Sequence, residues 1–149
     1  MTTSATTPTR GGAWLLEEPP ADGIFTPEQL SDEHRLMAQT TDEFVDAEVL
    51  PHLRRLENKD WALARQLIRR CGELGLLGVD APEAYGGLAL DRASSVVVAE
   101  HISRSASFAV AFGGQTNLSI LPITMFGTED QQQRYLPRLV AVRSLPPTR

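Results

Sequence analysis

The chain is poor in the residues that carry redox, metal and nucleophilic chemistry. It holds one cysteine, Cys71, in 149 residues, so no intrachain disulfide can form and a reducing compartment is favoured. Its three histidines, His34, His52 and His101, stand too far apart for a metal-ligand spacing. No apolar run approaches the roughly 20 residues that cross a bilayer, so no membrane span is expected. Fourteen Lys and Arg against nineteen Asp and Glu give a net charge of −5. The basic residues are scattered, with Arg54-Arg55 and Arg69-Arg70 the only doublets, which argues against nucleic acid as a partner. Residues 1–10 lack the apolar core of a secretory signal and carry a single Arg, so a cytoplasmic location is expected. Gly86-Gly87 lacks the G-x-G-x-x-G spacing of a dinucleotide site, and no βαβ pattern surrounds it.

What is present is helical pattern. Residues 1–23 are broken by Pro8, Gly11-Gly12 and Pro19-Pro20 and read as an arm, with Trp14-Leu15-Leu16 as an apolar knot. Thr26-Pro27-Glu28-Gln29 is a helix start with a capping box, and Ser31-Asp32 offers a second. A helix follows to residue 50, with Leu36, Met37, Phe44, Val45, Val49 and Leu50 on one side. Pro51 is expected to break or kink it near Val49, with a shorter continuation through Leu53 and Leu56. Trp61, Ala64, Leu67, Ile68, Cys71 and Leu74 mark the next helix, closed by Gly75 as a left-handed cap. Cys71 lies on that apolar stripe and reads as a core thiol. Residues 76–90 read as a loop. Asp91 caps a helix running to about Arg104, lined by Ala93, Val96, Val97, Val98 and Ile102. The expected architecture is mainly α, a helical bundle of five to six helices over residues 24–140, with 141–149 as a separate tail.

Residues 108–125 are apolar nearly all round, which predicts a helix at the centre of the bundle. Gly113-Gly114 lets a backbone or a ligand approach. Pro122 is expected to kink the helix and Gly127 to end it, after which Thr128 and Gln131 form a capping box. Gln115, Thr116 and Ser119 are polar positions in this apolar setting and need partners. Two accounts are open. Either they hydrogen-bond to neighbouring helices or to backbone one turn earlier, or they face a ligand cavity. On the residues alone the first is favoured.

Five segments in order resemble the N-terminal helical domain of the acyl-CoA dehydrogenases: Leu74-Gly75-Leu76-Leu77-Gly78-Val79, Pro82-Glu83-Ala84-Tyr85-Gly86-Gly87, Val97-Val98-Ala99-Glu100, Gln115-Thr116-Asn117-Leu118, and Phe126-Gly127-Thr128-Glu129-Asp130-Gln131 through Tyr135-Leu136-Pro137-Arg138-Leu139. The resemblance covers about residues 27–140. It implies an enzyme with a helical N-terminal domain, a β-barrel-like middle domain and a C-terminal four-helix bundle. Such an enzyme binds FAD and a fatty acyl-CoA and acts in fatty acid β-oxidation. A carboxylate removes the α proton, the flavin takes a hydride from the β carbon, and an electron-transfer flavoprotein accepts the electrons. A homo-oligomer is implied for the full-length enzyme. Gln115, Thr116 and Ser119 match the segment that lines the end of the acyl pocket, so they are implied as substrate-binding. The catalytic base and the main flavin motifs of the family have no counterpart here, so this chain alone is expected to be inactive. The tail from Val142 does not resemble the family, and a frameshift or early stop soon after Val140 would produce it. The other readings are a stand-alone helical binding or pairing module, or part of an acyl-CoA oxidase or flavin monooxygenase relative.

Overall fold

The computed structural model describes Leu16 and residues 25–142. The expected arm, with Trp14-Leu15, and the tail from residue 143 lie outside the described residues. The chain divides into two units, Met1–Leu30 and Ser31–Arg149. In the first, Pro27–Gln29 is a single 3-10 turn whose start is closed by Thr26 N–H donating to Gln29 Oε1 at 3.1 Å. The first of the two expected helix starts is therefore a separate turn.

The long helix of the second unit starts at the second signal. Ser31 Oγ accepts from His34 N–H at 3.2 Å, and Ser31 N–H donates to His34 Nδ1 at 3.0 Å. This is a capping box with histidine where Glu or Gln usually stands. From it run α1 (Asp32–Phe44), a π-turn (Val45–Val49), a 3-10 turn (Leu50–His52) and α2 (Leu53–Glu57). Pro51 thus reshapes the rod without ending it. A proline removes its own N–H and crowds the carbonyl four residues back, here Ala47. In the widened turn hydrogen bonds reach five residues back, so that carbonyl is not required. The same device recurs later: α5 (Ala106–Gln115) passes through a π-turn (Thr116–Ile120) into α6 (Leu121–Phe126), two residues before Pro122.

The rest follows the pattern closely. Asp60 caps α3 (Trp61–Glu73), and Gly75 closes the end of that segment with a φ of 78°. Residues 76–90 fold back on themselves around a 3-10 turn, Glu83–Tyr85. Leu88 N–H donates to Gly78 O and Leu90 N–H to Val79 O, both at 2.8 Å. Asp91 caps α4 (Arg92–Ile102), and the Thr128–Gln131 capping box opens α7 (Glu129–Val140). Among the described residues no strand is present. The mainly α bundle is as expected, and its five rods are 32–57, 61–73, 92–102, 106–126 and 129–140.

The core lies between these rods. Phe44 and Phe108 meet with ring centroids 6.1 Å apart, tilted by 54°, a favourable aromatic arrangement. Val45, Cys71, Leu77, Ile102, Ile120 and Leu136 are buried around them. Three expected core positions turn outward: Leu36, Trp61 and Val96 are exposed. On α1 the inner stripe takes His34 and Thr41 instead. Thr41 is accommodated because its Oγ1 donates to Met37 O at 2.7 Å, which satisfies the buried hydroxyl locally.

Candidate functional site

The rod from Ala106 to Phe126 is the feature with most chemical scope, and it differs from expectation. An all-round apolar helix predicts a central position, yet only Phe108, Phe112 and Ile120 are buried. Val110 and Leu118 are each 79% exposed and Phe126 is 81% exposed. The apolar pattern is genuine, but among the described residues neighbours cover one side of it only. Gly114 has open space beside it, since a Cβ added there would meet no atom within 4 Å, whereas one at Gly113 would touch Asn117 Nδ2 at 3.8 Å.

The three polar positions are each partnered. Gln115 Nε2 donates to Leu139 O at 2.8 Å, tying the rod to the end of α7. Thr116 Oγ1 donates to Phe112 O at 3.0 Å, one turn back. Ser119 Oγ donates to Gly114 O at 3.0 Å, the five-residue reach of the π-turn. Both hydroxyls are therefore turned onto their own helix, as the first account of them expects. They do not share one cavity. Thr116 borders a cavity of about 20 Å³ between the 76–79 turn, α4 and the rod, with Val98, Asn117 and Leu121. That volume holds one water. Gln115 borders an open hollow of about 310 Å³ with Trp61, Arg65, Ile68 and Ala111. Ser119 borders neither.

The segment after the rod makes a built corner. Gly127 leaves the helix, and a Cβ there would meet Ile123 O at 2.5 Å. Gln132 Nε2 then reaches back from α7 to Ile123 O, Thr124 O and Gly127 O at 3.0–3.3 Å. Ile123 O also accepts from Gly127 N–H at 2.9 Å, so the Gln132 amide adds a partner for the carbonyls around the helix end. In the sequence Gln132 is one of three consecutive glutamines and carries no distinguishing signal.

Two polar constellations were also missed by periodicity. His34 Nε2 donates to Asp91 at 2.9 and 3.1 Å, because Nδ1 already accepts from Ser31. Asp91 Oδ1 also accepts from Ser94 N–H and Ser94 Oγ, each at 2.9 Å. Serine, aspartate and histidine are thus together, but the serine bonds to the carboxylate and not to the imidazole. No imidazole addresses the hydroxyl, so this is a latch between two helix N-termini and not a nucleophile. The His34 and Ser94 hydrogen bonds hold the Asp91 carboxyl down at about 2. On the other side His101 and Arg104 meet Asp42 and Asp46 at 2.6–3.1 Å. Asp42, His101 and Arg104, with Glu100, border a hollow of about 330 Å³. His101 is paired with Asp42 and not with its sequence neighbour Glu100. Cys71 is buried, and burial first, then the Glu48 charge, pushes its thiol up to about 12. It is a core thiol, as its place on the stripe implies.

Among the described residues no helix is long and apolar enough to cross a membrane, and no group of His, Cys, Asp and Glu is placed to hold a metal ion. Comparison with known proteins gives this arrangement its context. A protein named "Probable acyl-CoA dehydrogenase" from Bacillus subtilis (strain 168) is 42% identical over 132 residues, covering 89% of this chain and 22% of that protein. A mitochondrial isovaleryl-CoA dehydrogenase from Pongo abelii is 30% identical over 145 residues, covering 89% of this chain and 34% of its own length. The crystal structure of an acyl-CoA dehydrogenase complexed with FAD from Bacillus anthracis superposes with a TM-score of 0.82 at 44% identity, covering 89% of this chain and 23% of that one. The chain thus spans between about a fifth and a third of the length of these relatives. Residues 31–143 match the family described as "Acyl-CoA dehydrogenase, N-terminal domain", and the chain belongs to the acyl-CoA dehydrogenase family.

Proposed function

We propose that this chain supplies one helical wall of the acyl pocket in an acyl-CoA dehydrogenase, with Gln115, Thr116 and Ser119 at the ligand end of that wall. The observation that carries the proposal is the way these polar groups are disposed. Thr116 and Ser119 spend their hydroxyls on Phe112 O and Gly114 O. What they can offer outward is hydrocarbon, which suits an acyl chain better than free hydroxyls would. Gln115, bonded to Leu139 O, holds the rod at a fixed place against α7. The α,β-dehydrogenation of a fatty acyl-CoA, electron transfer to an electron-transfer flavoprotein, and homo-oligomer formation belong to the whole enzyme under this reading.

FAD fits the described residues poorly. A pyrophosphate calls for several converging donors. The 310 Å³ hollow has Arg65 as its one bordering cation. In the 330 Å³ hollow Arg104 is committed to Asp42 and Asp46, and Glu100 adds a further negative charge. No catalytic step is therefore derived from this chain.

A chimera tests the proposal. Residues 31–142 replace the matching stretch of the Bacillus subtilis relative, and bleaching of the bound flavin by acyl-CoA of graded length is followed. The expected result is a yellow, active chimera in which Thr116→Phe and Ser119→Phe lower kcat/KM for long acyl chains more than for short ones. An unchanged length profile in both variants, or a folded chimera that never bleaches, would sink it.

A further inference from the structure

The rod from Ala106 to Phe126 is weak in its middle and is tied at two points to one neighbour, α7. Gly113-Gly114, the wide turn Thr116–Ile120 and Pro122 follow one another along it. Glycine adds backbone freedom, and proline removes a ladder bond. Both ties use a glutamine amide. Gln115 Nε2 on the rod donates to Leu139 O, near the end of α7, at 2.8 Å. Gln132 Nε2, in the first turn of α7, donates to Thr124 O at 3.0 Å and to Ile123 O and Gly127 O at 3.3 Å, at the end of the rod. Each helix end is thus held by a glutamine of the other helix, as an antiparallel pair allows. The ties are about 11 Å apart along either helix, and the wide turn and Pro122 lie between them. Against the core α7 is itself fixed. Leu136 is fully buried, and Val140 Cγ1 stands where a Cβ on Gly78 would come within 2.7 Å of it.

We propose that α7 is a splint for the ligand wall and that Gln132 is a positioning residue of that site, which rests on the acyl-pocket reading. Apolar packing is non-directional, so Leu136 and Val140 alone would let the rod slide or turn over α7. A hydrogen bond is selective in both distance and direction. Two such ties fix the rod's place along α7 and its rotation about its own axis, whereas one tie leaves a pivot. Thr116 and Ser119 lie between the ties, so their placement is set in part by a residue that does not touch the ligand. Gln132 has two N–H groups to share among its three carbonyls. A side chain without a donor at that position leaves Gln115 as the single tie of the pair.

Amide hydrogen exchange in the 149-residue chain tests the splint, with Gln132→Met, Gln132→Lys and Gln133→Met compared with the native protein. Methionine keeps the length and helix propensity of glutamine but donates no hydrogen bond, whereas the lysine ammonium restores donors. Gln133 is the exposed neighbour and serves as the control. Gln132→Met is expected to speed exchange from Ser119 to Phe126 by at least about tenfold and to leave α3 and α4 unchanged. Gln132→Lys and Gln133→Met should stay within about twofold of the native rate. In the Bacillus subtilis chimera, Gln132→Met should raise KM for acyl-CoA more than it lowers kcat. It should also narrow the difference between long and short chains, because a pivoting wall admits both, and Gln132→Lys should restore the native profile. Unchanged exchange in Gln132→Met, or equal acceleration in Gln133→Met, would overturn the splint. Faster exchange with an unchanged KM and length profile in an active chimera would overturn Gln132 as a positioning residue. A chimera that never bleaches overturns the acyl-pocket reading and the part of Gln132 in it, while exchange in the 149-residue chain still upholds or overturns the splint.

Discussion

Gly86 and Gly87 are neighbours in one turn, yet they are glycine for different physical reasons, and substituting alanine at each separates the two. At Gly87 a Cβ would lie 2.0 Å from Ala81 O, 2.5 Å from Ala81 C and 2.7 Å from Ala81 Cβ. Real Cβ atoms stay at least 3.0 Å from such neighbours, so the two arms of the loop must part by about 1 Å. Ala81 cannot yield cheaply. It is fully buried, and its carbonyl accepts from Ala89 N–H at 2.9 Å. Parting the arms strains that bond and the one from Leu88 N–H to Gly78 O at 2.8 Å. At about 1 kcal/mol for each bond, plus packing lost by Ala81, Gly87→Ala should cost about 2–4 kcal/mol. For a domain of this size that lowers Tm by about 10 °C. Gly86 has a φ of 87° and nothing within 4 Å of an added Cβ, so Gly86→Ala meets only the left-handed backbone penalty of about 1 kcal/mol. Thermal and urea unfolding of the two variants, followed by far-ultraviolet circular dichroism, give the comparison. If Gly86→Ala proved as destabilising as Gly87→Ala, the close approach of Gly87 to Ala81 could not be the reason for glycine there.

Further expectations follow from the core and the latch. Leu136 is fully buried, so Leu136→Ala should cost about 3 kcal/mol in urea unfolding; a cost below about 1 kcal/mol would mean that α7 contributes little to the core. Asp91→Ala removes a helix cap and leaves His34 without its carboxylate, for a cost of about 1–2 kcal/mol. The folded Asp91 carboxyl is held down at about 2 against an ordinary 3.8. Its contribution is therefore complete above about pH 4 and lost as pH falls through 2. The urea midpoint of the native chain should fall more steeply over that range than that of Asp91→Asn, and parallel slopes would contradict the latch. Cys71, fully buried with its thiol pushed up to about 12, should react with a disulfide reagent only as fast as the chain unfolds. Rapid labelling under native conditions would show that the thiol is accessible.

Where the sequence was readable, local chemistry settled the outcome. The Thr128–Gln131 box, the Asp91 cap and the left-handed Gly75 are each decided by residues within a few positions of one another, and each stands where the pattern places it. The prolines were harder because their consequence depends on the turn before them. Pro51 has the same steric demand in a broken helix as in a π-turn, and only packing of Val45 and Val49 into the core decides that the rod continues. The His34–Asp91 latch spans 57 positions, and Gln132 acts on a helix it does not belong to. Such pairings carry no periodic signal in either partner.

The candidate site shows the same division within a single helix. Leu118 and Ile120 are both aliphatic, two residues apart, in one uncharged stretch, yet Leu118 is 79% exposed and Ile120 is 1% exposed. Hydropathy treats them alike because it reports how much a side chain gains by leaving water, and says nothing of what is there to receive it. Spacing separates the two sides no better: the buried Phe108, Phe112 and Ile120 and the exposed Val110, Leu118 and Phe126 both recur at multiples of four. What divides them is which neighbouring rods pack against the helix, and that is a property of the fold rather than of the segment.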